Sequence, residues 1–372
     1  MALNCGIVGL PNVGKSIIFS ALTSAPAEAA NYLFSTKNPN VGIVDVPDTR
    51  LLKLSEIFKP KRTIPASVEF VDVAGLVKGA SKGEGLGNQF LAHIREMGVI
   101  AQVVRCFDDD DVFHVNDKVD TESDMETINI ELALADMDTM AKRRERAEKQ
   151  LKIPAEKKNA EMVLSVLDKI GPALEDGKPV RSTALSDEEK AAVYDCHFIS
   201  AKPQLYVCNV DEEGMRTAAA GKPGAYVQSV QKRAAAEGSE AVCICGKFEA
   251  ELTDIKDPEE KNAFLEELGL KETGLSALIH SAYRLLGLRT FFTAGEDECR
   301  AWTIHSGDSA PKAASVIHTD FEKGFIKAEV YTCDDIFHYG SEAKIKEAGK
   351  YRIEGKEYIV QDGDVMFIKF NI

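Results

Sequence analysis

Residues 9–16 read Gly-Leu-Pro-Asn-Val-Gly-Lys-Ser and match the phosphate-binding pattern G-x-x-x-x-G-K-S. The two glycines let the backbone curl until its N–H groups point at phosphate oxygens. In this pattern the lysine, Lys15, reaches the β- and γ-phosphates, and the Ser16 hydroxyl is a Mg²⁺ ligand. The spacing therefore predicts a site for a nucleoside triphosphate with Mg²⁺, formed by Asn12, Val13, Gly14, Lys15, Ser16 and Ile17.

Two further segments contain candidate metal ligands. Asp72 lies near the end of the apolar run 68–73 and is followed by Val73, Ala74 and Gly75. In phosphate-loop proteins an aspartate at the end of such a strand holds Mg²⁺, and the N–H of the following glycine, here Gly75, contacts the γ-phosphate. The alternative is an aspartate that merely ends a strand at a turn. Thr36 is the predicted switch-loop ligand of Mg²⁺, ahead of its competitors Ser35 and Thr49.

The elements that position these residues follow from short apolar runs that alternate with helical patterns. The predicted strands are Asn4–Val8, Val41–Val46, Val68–Val73, Ile100–Cys106, Gln204–Asn209 and Ala241–Cys245. Such alternation predicts an α/β fold with a mostly parallel sheet covered by helices on both faces. Ligands of such folds bind at the carboxyl ends of the strands, which is where the phosphate loop lies.

This alternation is interrupted between residues 125 and 198. Apolar residues at helical spacing on both sides of Pro154 predict two antiparallel helices joined near Ile153–Glu156, a hairpin inserted between two strands. The segment Lys142–Lys152 carries six basic and two acidic residues. It is either a solvated helix face or an RNA-facing tip of the hairpin.

Beyond residue 289 the apolar residues recur with a period of two. The predicted strands are Ala301–His305, Phe325–Tyr331, Tyr351–Ile353, Glu357–Val360 and Val365–Phe370. These patterns together predict three parts: a nucleotide-binding domain of residues 1–135 and 199–288, an inserted hairpin of residues 136–198, and a small α+β domain of residues 289–372.

Composition limits the compartment and the partners. The chain has 372 residues, a net charge of -15 and eight cysteines, none of them in a C-x-x-C pair. Such an acidic chain is not a general polyanion binder, so we expect no DNA partner and at most a local RNA contact. No run approaches the ~20 apolar residues of a membrane span, and the N-terminus lacks a signal-peptide pattern. We therefore expect a cytoplasmic monomer with free thiols and no membrane partner.

Several longer strings resemble a known family. Pro39–Gly42, Asp72–Leu76 and Gly79–Phe90, together with the phosphate loop, resemble the Obg family of P-loop GTPase-like proteins (TRAFAC class), and within it the YchF branch of Obg-like ATPases. The similarity extends over nearly the whole chain, and residues 300–304 and 317–330 resemble that branch's C-terminal TGS domain. It implies a P-loop NTPase G-domain, an inserted helical hairpin (a coiled coil) and a C-terminal β-grasp domain. It also implies a ribosome partner, either the large subunit or a 70S-type particle.

The residues that would read the base point to ATP. Proteins of this class use N-K-x-D after the fifth strand, and its aspartate accepts hydrogen bonds from guanine groups that adenine lacks. Here the stretch is Asn209-Val210-Asp211-Glu212, so Val210 replaces the lysine and Glu212 the aspartate. The longer carboxylate crowds the guanine edge, and a lost paired hydrogen bond discriminates strongly. The resemblance implies the same preference, although residues 245–247, Cys-Gly-Lys, depart from the usual S-A-K of the next loop.

Hydrolysis requires a group that orients the attacking water. Ras-like proteins use a glutamine directly after D-x-x-G, but the corresponding residue here is Leu76, whose apolar side chain cannot polarise water. We therefore expect slow intrinsic hydrolysis assisted by another group. The candidates are His114, in an acidic loop after the fourth strand, and a K⁺ ion on Asn12, which the resemblance implies.

The sequence thus predicts an ATP hydrolase that acts as a nucleotide-dependent switch on the ribosome, in translation or stress regulation, with ATP and Mg²⁺. The glycine-rich residues 79–87 are then a second switch ordered by the γ-phosphate, or else a passive linker. Two alternatives stay open for the function. An Obg-type GTPase is disfavoured by Val210 and Glu212, whereas Leu76 is compatible with a nucleotide-regulated ribosome- or RNA-binding module whose hydrolysis is incidental.

Overall fold

The computed structural model describes two compact units. The residues that it describes are 3–24, 41–73, 86–109, 118–255 and 257–371, without the side chains of 86–89 and 258. The first unit contains residues 3–24, 41–42 and 69–282, and the second contains 43–68 and 283–371, within these ranges. No helix of the described ranges is long and apolar enough to cross a membrane.

One six-stranded sheet carries the phosphate loop. Its strands are β1 (Asn4–Gly9), β2 (Val41–Asp45), β4 (Ser67–Asp72), β5 (Val99–Arg105), β6 (Gln204–Asn209) and β7 (Glu240–Ile244), in the order β2-β4-β1-β5-β6-β7. β1 pairs in parallel with β4 and β5, and the parallel pairing continues through β6 to β7. Every residue of β5 and β6 is buried, as in a sheet with both faces covered. The prediction of a mostly parallel α/β sheet is confirmed.

Helices alternate with these strands along the chain. They are α1 (Lys15–Ser24), α3 (Leu86–Glu96), α4 (Thr121–Gln150), α5 (Lys157–Glu175), α6 (Asp187–Ala192), α7 (Glu212–Ala219), α8 (Ala225–Ala236), α9 (Gly246–Asp254), α10 (Pro258–Glu267) and α11 (Gly274–Leu285). Side-chain caps mark helix starts where the sequence has an aspartate. Asp120 accepts from the Ser123 N–H at 3.0 Å at the start of α4.

The long helices α4 and α5 form the predicted antiparallel hairpin. Arg144 of α4 pairs with Asp168 of α5 at 2.6 Å, and the connection, residues 151–156, includes the predicted turn. Within the hairpin, alanine, valine, leucine and isoleucine side chains of both helices share one buried cluster, as amphipathic helices require. The hairpin prediction is therefore confirmed, although α4 begins as early as Thr121.

A buried polar network fixes the hairpin base to β6. The Asn129 amide donates to the Tyr206 hydroxyl at 3.1 Å, and that hydroxyl donates to Glu237 at 2.9 Å. Arg181 pairs with the same carboxylate at 2.6 Å, and both side chains of this pair are more than nine-tenths buried. Removing one partner of a buried ion pair leaves the other charge buried without its partner, which is strongly destabilising. The members of the network therefore hold one another in place.

A second six-stranded sheet lies in the second unit. Its strands are β3 (Arg62–Ile64), β8 (Leu288–Ala294), β9 (Glu298–His305), β10 (Phe325–Thr332), β11 (Arg352–Glu354) and β12 (Asp364–Phe370), in the order β11-β10-β12-β8-β9-β3. Pairing is antiparallel except between β12 and β8 and between β3 and β9. The helices are α2 (Thr49–Phe58), α12 (Ala310–Ala314), α13 (Thr319–Lys323), α14 (Cys333–Tyr339) and α15 (Glu342–Glu347).

Three details of this unit differ from the sequence-based expectations. The predicted strand Glu357–Val360 is wrong, because there Ile359 forms an isolated bridge to Ser309. Strand β8 was not predicted at all. Strand β3 has three residues and pairs with β9, more than two hundred positions away along the chain, so no local pattern could reveal it. The predicted domain boundaries stay predictions.

Glu249 of α9 holds the N-terminus of α11. Its side chain is 1% exposed, and Oε1 accepts from the N–H groups of Gly274 at 2.6 Å and Leu275 at 3.4 Å. Burial raises the pKa of Glu249 from its ordinary value of 4.5 to about 7, and the two backbone bonds offset this only in part.

We predict that Glu249→Gln removes a pH-dependent part of the stability. Because folding raises the pKa of Glu249, the contribution of this residue to the free energy of unfolding is complete below pH 4.5. That contribution is lost as the pH rises through about 7. Glutamine keeps an acceptor oxygen but does not ionise. The free energy of unfolding of the variant, relative to wild type, should therefore rise by roughly 3 kcal/mol between pH 4 and pH 8.

Chemical denaturation at the two pH values measures this difference. Glu251→Gln, at an exposed position of the same helix, is the matched control and should change nothing. A Glu249→Gln protein with the same pH dependence as wild type would contradict the assignment.

Candidate functional site

The phosphate loop connects the end of β1 to the start of α1. Its backbone is left-handed at Asn12 and Gly14, with φ of 63° and 94°. A Cβ atom at Gly14 would lie 2.1 Å from Nδ2 of Asn209, so the backbone and the space both require glycine here. The N–H groups of the first turn of α1, Lys15 to Ile17, have no acceptor within the helix and form an anion site.

Two predicted site residues meet at the carboxyl ends of neighbouring strands. The Lys15 ammonium forms an ion pair with Asp72, the last residue of β4, and donates to the Val73 carbonyl at 3.0 Å. The side chains of Lys15 and Asp72 are 12% and 22% exposed, so solvent screens their charges only in part. A cation for phosphate and a carboxylate for a metal therefore lie side by side, next to the phosphate loop.

The donors at this place fit Mg²⁺. Ser16 contributes an exposed hydroxyl and Asp72 a carboxylate, both of them hard oxygen ligands. Among the residues that the structure describes, no group of three or more His, Cys, Asp or Glu side chains could hold a metal ion alone. Mg²⁺ is typically held by one or two carboxylates together with substrate phosphates and waters, so this sparse set fits a metal that arrives with a nucleotide.

Asn209, the last residue of β6, connects two loops of the site. Its Nδ2 donates to the carbonyl of Val13 in the phosphate loop at 2.9 Å, and its Oδ1 accepts from the Gly246 N–H at 3.1 Å. The amide therefore holds the phosphate loop and the β7–α9 loop at a fixed separation. Its predicted contact with a nucleotide stays a prediction, because both ends of the amide bond to protein.

The three residues after Asn209 have different surroundings. Val210 is 2% exposed and belongs to the buried cluster of Met215, so its side chain points into the protein. Asp211 caps α7 by accepting from the Gly214 N–H at 2.7 Å. Glu212 is exposed.

Glu212 lies beside the β7–α9 loop. Burial raises the pKa of the Cys245 thiol in that loop, and the negative charge of Glu212 raises it further. One oxygen of Asp211 is engaged in a helix cap, and the predicted contact of Glu212 with a base stays a prediction.

The other predicted site residues, Thr36, Gly75, Leu76 and His114, lie outside the described residues. The described start of the loop that leads to His114 is anchored by Arg105, which is 1% exposed. Its guanidinium donates to the carbonyls of Phe107 at 3.1 Å and Asp109 at 3.0 Å. Arg105 was not predicted as a structural residue, although an arginine at the end of a mainly apolar strand is a recognisable signal.

Comparison with known proteins places this geometry in a family. A family model described as a 50S ribosome-binding GTPase matches residues 4–137, and one described as YchF-GTPase_C, a protein of unknown function, matches residues 288–371. The solved structure of the Schizosaccharomyces pombe YchF GTPase is 38% identical with a TM-score of 0.86. That match covers 98% of this chain and 97% of the yeast chain.

Curated relatives match over the full length. Proteins named ribosome-binding ATPase YchF from Haemophilus ducreyi and Bacillus subtilis are 52% and 51% identical, and each match covers 100% of both chains. Both matches extend over the whole of this chain. The chain belongs to the YchF family of P-loop proteins.

Proposed function

We propose that this chain is an ATP hydrolase that binds the ribosome and acts as a nucleotide-dependent switch, with Mg²⁺ as its metal. The observation that carries the proposal is the pairing of Lys15 with Asp72 beside a phosphate loop whose shape requires Gly14. The names of the relatives from Haemophilus ducreyi and Bacillus subtilis, ribosome-binding ATPase, support both the nucleotide and the partner.

Each site residue has a role in this proposal. The N–H groups of Asn12 to Ile17 and the Lys15 ammonium bind the phosphates. Ser16, Thr36 and Asp72 would hold Mg²⁺, which would supply positive charge at the transferred phosphoryl group when bound. Gly75 senses the γ-phosphate. The apolar side chain of Leu76 cannot polarise water, so the attacking water would be oriented by His114 or by a K⁺ ion that Asn12 would hold. An ATPase assay in K⁺ and in Na⁺ separates the two, since loss of activity in Na⁺ assigns the ion.

The choice of ATP over GTP rests on Glu212. The yeast relative is named a GTPase and the bacterial relatives are named ATPases, so the choice of base is argued from the residues of this chain. Position 212 has a glutamate where guanine recognition needs an aspartate, and the neighbouring Asp211 accepts from the Gly214 N–H at 2.7 Å as a helix cap. A buried Val210 leaves no room for the lysine of the guanine-binding pattern without burying an ammonium group. Both observations favour adenine.

We predict that Glu212→Asp shifts the nucleotide preference towards GTP. The shorter carboxylate no longer crowds the guanine edge, so the ratio of GTP affinity to ATP affinity should rise at least tenfold, about 1.4 kcal/mol. Equilibrium binding of fluorescent ATP and GTP measures the ratio. Glu213→Asp, the exposed neighbour in the same helical turn, is the control and should leave the ratio unchanged. An unaltered ratio in Glu212→Asp would remove Glu212 from base selection.

The end of the hairpin is the proposed RNA contact on the ribosome. Arg143, Arg144 and Lys149 are each held by a carboxylate, Asp195, Asp168 and Glu145 respectively. Lys142, Arg146 and Lys152 are exposed, and no ion pair within the described ranges involves them. Free cations release counterions from a phosphate backbone, whereas paired ones must first break their ion pair.

We predict that Arg146→Glu combined with Lys152→Glu weakens ribosome binding at least tenfold, with a smaller salt dependence, because two phosphate contacts are lost. Co-sedimentation with ribosomes at several salt concentrations measures both quantities. The matched control is Lys178→Glu, exposed beyond the far end of α5. ATP hydrolysis without ribosomes should be the same in all variants. Unchanged co-sedimentation of the double variant would show that the hairpin end does not contact RNA.

A further inference from the structure

A cavity of about 830 Å³ opens in the second unit at the end of its sheet. One wall is the turn between β8 and β9, residues 294–298, and the other is the last part of β12, residues 365–370. Neither the ATP site nor the hairpin contributes a residue to it. A ligand of this cavity therefore contacts none of the residues that the proposed function uses.

Strand β12 has an incompletely paired edge along this cavity. β12 pairs with β10 over its whole length, from Asp364 to Phe370. With β8 it forms one residue pair, Val365–Phe292, among the described residues. The structure describes residues 283–371 without a gap. Beyond Val365 the next three residues of β12, 366–368, still pair with β10 on one side. On the side of β8 they have no partner in the ladder of the described residues, and they line the cavity. Backbone N–H and C=O groups at such an edge can bind an extended peptide as an added strand.

Aromatic side chains line the same cavity. Trp302, Phe321, Tyr331 and Tyr351 contribute to its wall, and Phe367 and Phe370 are 55% and 36% exposed. Large exposed aromatic residues close together mark interaction sites more often than they occur on an inert surface. Their rings also accept cations in this protein, since the guanidinium of Arg300 lies 3.9 Å from the Trp302 ring centre.

The charged groups of the cavity wall are all acidic. The lining contains five carboxylates and no lysine, arginine or histidine: Glu296, Asp297, Glu298, Glu329 and Glu342. Glu342 and Glu329 are fixed by the hydroxyls of Tyr331 at 2.9 Å and Tyr351 at 3.0 Å. These two carboxylates are thereby held in place before any ligand arrives.

Cations lie around the cavity but outside its wall. Lys61, Arg62 and Lys327 pair with Asp297, Glu298 and Glu329 at 2.7, 3.3 and 3.8 Å, and Lys346 and Lys369 lie over the rings of Tyr351 and Phe367. Lys61 and Arg62 are 78% and 72% exposed, so their pairs are weak and exchangeable. Within the described residues, no cation pairs with Glu296 or Glu342. These two carboxylates can each accept a cation without displacing one.

We propose that this cavity binds an extended, lysine- or arginine-containing segment of a partner protein. The segment adds to the edge of β12, its apolar side chains pack on Phe367 and Phe370, and its cations reach Glu296 and Glu342. Glu296 and Glu342, which pair with no cation within the described residues, favour a cationic segment over a phosphate backbone.

The single tryptophan of the chain makes the proposal measurable. Trp302 lines the cavity, so the tryptophan emission of the full-length protein reports on this place alone. The probe is an acetylated octapeptide of alternating lysine and valine, which favours an extended strand, and the matched control alternates glutamate and valine. We expect a saturable change in emission with the lysine peptide that weakens as salt is added, and no change with the glutamate peptide.

Two variants test the residues. Glu296→Lys combined with Asp297→Lys should weaken binding of the lysine peptide at least tenfold, whereas Glu357→Lys, exposed in the same unit and outside the cavity wall, should not. Phe367→Ser, at a side chain that is 55% exposed, should also weaken it in protein whose thermal unfolding shows that it is folded. The proposal is overturned by the absence of a saturable response to the lysine peptide, by equal binding to the charge-reversed variant, or by tighter binding of oligouridylate.

Discussion

The side-chain amide of Asn209 is the contact on which the site depends. One end binds the phosphate loop at Val13 and the other binds the next loop at Gly246. The approach is possible only because residue 14 has no side chain, so Gly14 and Asn209 constrain each other. A serine could not reach both loops, and a carboxylate could not donate to the Val13 carbonyl. One buried residue therefore sets the separation between the phosphate loop and the start of α9.

Strand β6 joins that contact to the hairpin. Tyr206 lies three positions before Asn209 on the same buried strand, and its hydroxyl belongs to the network of Asn129, Glu237 and Arg181. Because every residue of β6 is buried, the strand cannot bend without loss of core packing. The hairpin base and the base-reading loop are thus two ends of one rigid connection. In the proposed function, a ribosome bound at the hairpin would act on an element that β6 connects to the nucleotide site.

Most of the first sheet and the hairpin could be predicted because their signals are local. Buried parallel strands appear as continuous apolar runs, and the hairpin helices show an apolar period that Pro154 interrupts at the turn. The placement of Lys15 beside Asp72 could also be predicted, since Lys15 follows one strand and Asp72 ends another, and the pattern places both strands in one sheet. In each case the residues that fix the structure are neighbours in the sequence or share one simple period.

The remaining features depend on contacts between distant residues. Strand β3 forms because it pairs with β9. The buried carboxylate of Glu249 accepts a hydrogen bond from the backbone N–H of Gly274, which lies 25 positions away along the chain. The two bonds of Asn209 could not be foreseen, since the pattern that singled it out concerns a base and not the loops that it joins. The cavity beside β12 arises where β8 ends before β12 does, which is a property of strand lengths in a folded sheet.

The most direct measurement is the ATP affinity of Asn209→Ala by equilibrium binding, on protein whose thermal unfolding shows that it is folded. Alanine removes both loop contacts without adding a charge near the phosphates. We predict that ATP binds at least tenfold more weakly, about 1.4 kcal/mol, because the two loops no longer hold one separation. An affinity within twofold of wild type would contradict the central role of Asn209, and the site would then be organised by the phosphate loop alone.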